Sequence, residues 1–295
     1  MKQSFSKISS IWYTVIAYQI ITFILVAFFD IGYFKSPVFL ISRSIILAFL
    51  VVRLFYQSDI SKKLGSLSDT LMIYILLAFF YKETAHLNTF IFPKIDPFLV
   101  RCDEWLFGVQ PAIWFSEKFN AAIFSELMFM GYFSYYIMPL LAFLAIWKFN
   151  REFFEEFSFL VLSAYFVYYL IFILLPAEGP QFFYASPLNQ IDAQGPFAAI
   201  IKLIQKSGEA PTAAFPSSHI GIMIIILTLL FKKQKTLFQI FLPFSVILLF
   251  STVYIKAHFF VDVLAGLLSA PFVLFLNRFI YSKIISLQNK TNLCR

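Results

Sequence analysis

Residues 153–175 read FFEEFSFLVLSAYFVYYLIFILL, and after Glu156 they run to Leu175 without a charge. An α-helix rises about 1.5 Å per residue, so about 20 apolar residues cross the roughly 30 Å hydrocarbon core of a bilayer. Lipid offers the backbone no hydrogen-bond partner, so a stretch of this kind has to be helical. Working outward, 11–29, 38–56, 67–81, 122–147, 217–231, 236–255 and 258–281 share the character, with 67–81 and 217–231 the shortest. The composition agrees. Of 295 residues 60% are hydrophobic and 13% charged, and 41 are Phe, against about 45–50% and about 25% in an ordinary soluble domain. That excludes a soluble globular enzyme, a disordered chain and a nucleic-acid-binding domain. The expected fold is all-α, a polytopic bundle of about eight transmembrane helices in one unit, the first retained as an anchor since no small-residue cleavage site follows it.

The net charge of +7 reports cytoplasmic loops rather than an acidic partner. With the N-terminus inside, 14 of the 23 Lys and Arg fall on cytoplasmic stretches: Lys2, Lys7, Arg53, Lys62, Lys63, Lys148, Arg151, Lys232, Lys233, Lys235, Arg278, Lys283, Lys290 and Arg295. Both termini are then expected to be cytoplasmic and the long connections 82–121 and 176–216 extracytoplasmic, in a plasma or inner membrane. Cys102 and Cys294 fall on opposite sides, so no disulfide is inferred. The first connection mixes charges with Phe90, Phe92, Trp105, Phe107 and Trp114, which suits short helices in the interfacial plane or an aromatic belt.

Two of the three histidines keep unusual company. In Phe215-Pro216-Ser217-Ser218-His219 a proline is placed in the first turn of a membrane helix, where its missing N–H costs nothing. The free N–H groups beyond it, the helix dipole and the Ser217 hydroxyl form an expected phosphate cradle. Later, residues 251–266 read STVYIKAHFFVDVLAG. His258 and Asp262 are four apart, which on a helix puts them on one face, where the carboxylate can hold one ring nitrogen protonated and leave the other as nucleophile or base. The topology brings both histidines to the outer face, and ionisable groups at a membrane are a functional hypothesis by default. Arg43 is expected to snorkel to the outer interface. His86 reads as an interfacial loop residue. Glu178, Asp192 and Glu209 read as solvated, with Glu178, beside a Gly-Pro turn, the one to test.

The segments Pro216-Ser217-Ser218-His219 and 251–266 resemble the second and third signatures of the type-2 phosphatidic acid phosphatase and vanadium haloperoxidase superfamily, Pro-Ser-Gly-His and Ser-Arg-x5-His-x3-Asp. The resemblance covers about 122–281. It implies a six-helix lipid phosphatase-like core, with 67–295 as the lipid phosphatase or phosphotransferase domain and 1–66 as an added helical pair. It also implies that His258 is the nucleophile that forms a phosphohistidine, His219 the general acid and Asp262 the group orienting His258. Phosphate contacts fall on Ser217 and Ser218. Two departures stand out. Thr252 replaces the family arginine, with Lys256 the expected substitute cation, and no Lys-x6-Arg-Pro first signature occurs. The run Pro176-Ala177-Glu178-Gly179-Pro180-Gln181 sits where first-signature ligands belong, which gives Gln181 a phosphate-binding role. Together with Asp103-x4-Gly108-x2-Pro111 this looks more like the inositol phosphorylceramide synthase branch, which transfers a headgroup. The implied substrate is a lipid phosphate or phospholipid, with water or an acceptor alcohol as second substrate and no metal or other cofactor. The rival readings are metal-assisted hydrolysis, for which no H-E-x-x-H motif is present, and an inactive lipid transporter or scaffold.

Overall fold

The computed structural model describes residues 9–55, 59–88 and 91–293, and these described residues form only helices and loops. The helices are α1 Ile11–Phe29, α2 Ile31–Phe34, α3 Pro37–Phe55, α4 Asp59–Leu87, α5 Asp96–Phe107, α6 Pro111–Lys118, α7 Ala122–Phe149, α8 Arg151–Leu174, α9 Pro180–Phe183, α10 Pro196–Gly208, α11 Ser218–Lys233, α12 Lys235–Tyr254 and α13 Phe260–Leu293. Among the described residues five are long and apolar enough to cross a membrane: α1, α7, α8, α12 and α13 as far as Lys290. The other three expected spans fall on α3, α4 and α11. α11 has only 16 residues, and α4 runs on past 67–81 at both ends to 29 residues. The chain is an all-α polytopic membrane protein.

α8, which carries the uncharged run after Glu156, is the axis of the bundle and packs against α1, α4, α7, α11 and α13. Its Phe157, Phe159, Leu160, Val161, Leu162, Ala164, Tyr168 and Phe172 are fully buried. A helix apolar on every side belongs in the middle. α13 shows the alternative: Leu268, Phe272 and Phe275 are at least 70% exposed, while Ala270, Val273, Leu274 and Asn277 face inward. In a bilayer the exposed stripe is solvated by lipid tails, so the helices hold together by close packing and polar contacts. One such contact overturns a sequence expectation. Arg43 does not snorkel: its guanidinium lies 2.8 Å from Glu83 of α4, donates to Thr22 of α1 at 3.0 Å and covers the Phe39 ring, tying three helices together. Arg and Glu are cheaper buried as a pair than apart, and both side chains are largely removed from solvent.

The long connections are mostly folded. α5 buries Asp96, Leu99 and Asp103 along one stripe and leaves Phe98, Trp105, Leu106 and Phe107 exposed, the amphipathic pattern expected of an interfacial helix. His86 is not in a loop but in the last turn of α4, 3.8 Å from Asp30. Cys102 is a partly buried free thiol, and Cys294 lies outside the described residues.

Candidate functional site

The two signature segments meet. The α12–α13 turn carries His258 up to the start of α11, where Nε2 of His258 lies 3.0 Å from Nδ1 of His219. The backbone builds this encounter. The N–H of His258 donates to the carbonyl of Thr252 at 3.0 Å, and that of Ser217 to the carbonyl of Asp262 at 2.9 Å. α13 can approach α11 this closely because residue 266 is glycine; a Cβ there would stand 2.5 Å from the Ser217 carbonyl oxygen. Two non-glycine residues adopt left-handed backbone beside the histidine, Lys256 at φ 65° and Ala213 at φ 67°. Such conformations cost of order 1–3 kcal/mol each and gather at working sites.

Nδ1 of His258 contacts the carbonyl oxygen of Ala214 at 2.8 Å. That contact requires a proton on Nδ1, and Nε2 is left with its lone pair facing His219. The sequence reading gave this holding role to Asp262. Its Oδ2 is 3.5 Å away, a neighbouring carboxyl oxygen rather than the hydrogen-bond acceptor. The reason is that α13 begins at Phe260, so His258 and Asp262 do not share a helical face. Asp262 instead reaches back to accept the Phe259 N–H at 2.8 Å, as an acidic residue in the third position of a capping box does. The next two N–H groups of α13, on Phe260 and Val261, donate to Asp103 of α5, each at 2.9 Å. Asp96, at the other end of α5, accepts the N–H groups of Glu178 and Gly179. A carboxylate that collects two backbone N–H groups at a helix or turn start satisfies orphan donors and meets the positive end of the dipole. α5 is therefore the brace that fixes both loops of the site.

The histidines open into a cavity of about 610 Å³, within the usual 300–1,000 Å³ of a small-molecule site. His258 and His219 line it with Ser218, Gln181, Glu178, Glu209 and seven tyrosines. The rings of Tyr132 and Tyr135 lie 4.9 and 4.2 Å from that of His219. Glu209 is not solvated. It accepts from the hydroxyls of Tyr132 and Tyr136 at 3.0 and 3.3 Å and from the amide of Gln181, whose own oxygen accepts from Gln205. Burial raises the Glu209 carboxyl above the usual carboxylate range, against the pull of those donors. Burial likewise pushes the His258 imidazole down to about 4, opposed by the Ala214 carbonyl and by Glu209. Nε2 of His258 is thus unprotonated at neutral pH.

Of the residues singled out in the sequence, His219, His258, Ser218 and Gln181 line the cavity, and Asp262 supports it. Lys256 and Ser217 do not line it. The left-handed turn at Lys256 sends its ammonium to the carbonyls of Leu188 and Gln190, at 2.7 and 2.8 Å. Ser217 occupies the N-cap position of α11 without a side-chain cap, and its buried hydroxyl has no hydrogen-bond partner among the described residues. Pro216 precedes it in a cis turn, not in the helix. Thr252, in the place of the family arginine, is fully buried and bonds back to Leu249. Glu178 is paired with Lys94, and Asp192 is exposed as expected. Sequence reasoning missed Glu209, Tyr132, Tyr136 and the capping duty of Asp96 and Asp103. Two Asp seven apart on one face of an amphipathic helix were the available signal for the last pair.

The fold and this site define a helical membrane protein with paired imidazoles at a cavity between its helices. The chain matches the PAP2 superfamily over residues 97–276, more than half its length, and belongs to that superfamily of phosphatase- and phosphotransferase-type lipid enzymes. The matched stretch runs from α5 to α13 and takes in both histidines, Gln181, Glu209 and Asp262. Comparisons with curated proteins and with solved structures give no match.

Proposed function

We propose that the protein is a phosphatase or phosphotransferase that acts on a phospholipid headgroup by double displacement through a phosphohistidine. The observation that carries the reading is the encounter of Nε2 of His258 with Nδ1 of His219 inside a cavity flanked by membrane helices. In the first step the His258 lone pair forms an N–P bond while the P–O bond to the leaving alcohol breaks. His219, as an imidazolium stabilised by the bound phosphate, gives its proton to the departing oxygen. In the second step neutral His219 takes a proton from water or an acceptor alcohol, whose oxygen attacks phosphorus and releases His258. The Ala214 carbonyl keeps the first histidine in the reactive tautomer throughout, and Asp262 lies close enough to favour the positive charge that His258 acquires. Ser218 and Gln181 are the side chains placed to donate to the phosphate oxygens, and Lys256 serves by holding the turn.

Residues 67–295 form the catalytic unit in this reading, with the helices before them added to it. The excess of Lys and Arg on the opposite loops puts the cavity at the extracytoplasmic side and both termini in the cytoplasm. The test is incubation of the purified protein with a panel of phospholipids, with and without acceptor alcohols, and mass spectrometry of the products. Free phosphate or phospho-headgroup identifies a hydrolase, and a new headgroup lipid a transferase resembling the inositol phosphorylceramide synthase branch. No product from any donor would contradict the proposal and favour an inactive carrier.

A further inference from the structure

The cavity is short of positive charge. Among its described lining residues Lys82 is the one lysine or arginine, and its exposed side chain donates to the carbonyl of Ser207 at 3.4 Å. Two carboxylates face the same space. Glu178 is matched by Lys94, whereas the donors to Glu209 are all neutral: Tyr132, Tyr136 and Gln181. The ring of Tyr132 that donates to Glu209 also stacks on His219, so this carboxylate stands one ring away from the place where a phosphate must sit. The carboxylate form of Glu209, which burial already disfavours, and a phosphate beside it repel strongly in a partly desolvated pocket. A ligand that brings its own cation beside the phosphate removes the conflict. Tyrosine-rich walls suit that cation, because ring faces attract ammonium groups and such cages receive quaternary ammonium ligands. A phenol that donates its proton to a carboxylate also presents a more strongly accepting oxygen to a neighbouring N–H.

We infer that the site takes a zwitterionic headgroup, an amine-bearing phosphodiester lipid with its phosphorus at His258 and its ammonium against Glu209, Tyr132 and Tyr136. The inference rests on the proposal that the cavity is a phospholipid site and names the lipid class. A phosphatidate, with charge on phosphorus alone, and an inositol lipid, with a neutral polyol, both leave Glu209 uncompensated and are the poorer ligands.

The test is equilibrium binding to the full-length protein in maltoside micelles. The probes are phosphonates in which a methylene group replaces the glycerol-side bridging oxygen, so that no P–O bond to the lipid can be broken during the measurement. Four are compared, the ethanolamine, choline and inositol analogues and the phosphatidate analogue. One or both amine analogues are expected to bind about tenfold or more tighter than the other two. Glu209→Gln, which keeps the acceptor oxygen and removes the charge, is expected to shrink that preference to about threefold or less. The two amine arms distinguish a primary from a quaternary ammonium. Equal or tighter binding of the phosphatidate analogue to the wild-type protein overturns the inference, as does a preference that survives Glu209→Gln. The wild-type ranking decides the matter if that variant does not fold. Binding without amine preference leaves the phospholipid site standing and ends this inference alone; no binding of any probe ends both.

Discussion

Nε2 of His258 and Nδ1 of His219 are 3.0 Å apart, although 39 positions separate the two residues in sequence. Attack on phosphorus needs the nucleophile within about 3–3.5 Å of it, with the leaving oxygen on the far side. In the proposed mechanism the two rings in contact occupy the space that a phosphoryl group needs, so substrate entry is expected to part them.

His258→Ala is expected to abolish turnover, because no other lone pair lies at that point. His219→Ala is expected to slow it by about 10²–10⁴, the usual contribution of a general acid. Product formation per mole of protein checks both, alongside circular dichroism to show that the helices are intact. Wild-type activity in His258→Ala on every lipid tested would refute the assigned nucleophile.

The pH dependence follows from the burial of His258. Its folded value, about 4, lies below the ordinary 6.5. Between those two values the unfolded chain binds a proton that the folded protein does not. The contribution to stability is therefore complete above pH 6.5 and is lost as pH falls towards 4. For a phosphodiester donor, which does not titrate in this range, the acid limb of kcat/KM is expected near pH 4. An acid limb at pH 6.5 or higher in the wild-type protein would contradict the lowering of His258 by burial.

Asp103 holds two N–H groups of α13 from 157 and 158 positions away. Hydrogen bonds to a charged group are worth about 1.5–3 kcal/mol each, and lost helix caps cost about 0.5–2 kcal/mol. Asp103→Ala is expected to lower the thermal midpoint and to slow turnover more than Asp192→Ala, which removes an exposed carboxylate. Equal effects of the two would show that α5 does not brace the site.

The Arg43–Glu83 pair gives a prediction about stability alone. Removing one partner of a buried ion pair leaves an uncompensated charge and typically costs about 3–5 kcal/mol, whereas replacing both by apolar residues is often neutral. Glu83→Leu is thus expected to destabilise the protein, and the double change Arg43→Met with Glu83→Leu to recover most of the loss. Thermal unfolding in detergent reads both.

The membrane helices were legible in the sequence because a run such as 157–175 permits one conformation in lipid. The histidine pair was legible because its neighbours, Pro216 to His219 and 251 to 266, form signatures. What local sequence did not carry was long-range pairing. Glu209 read as a loop carboxylate because its tyrosine partners are on α7, 73 and 77 positions earlier. Arg43 read as interfacial because Glu83 is on another helix. Lys256 read as a phosphate ligand because nothing in its neighbours shows the left-handed turn that points its ammonium elsewhere. Spacing of four misassigned Asp262 because helical periodicity applies only inside a helix, and His258 precedes one.

The most direct measurement is rapid quenching of the purified protein during turnover of a donor labelled at phosphorus, at alkaline pH to preserve N–P bonds, followed by peptide mass spectrometry. The expected result is phosphorus on the peptide that contains His258, in wild-type protein and not in His258→Ala. Turnover that proceeds with no N–P adduct, or with the label on another residue, would contradict it.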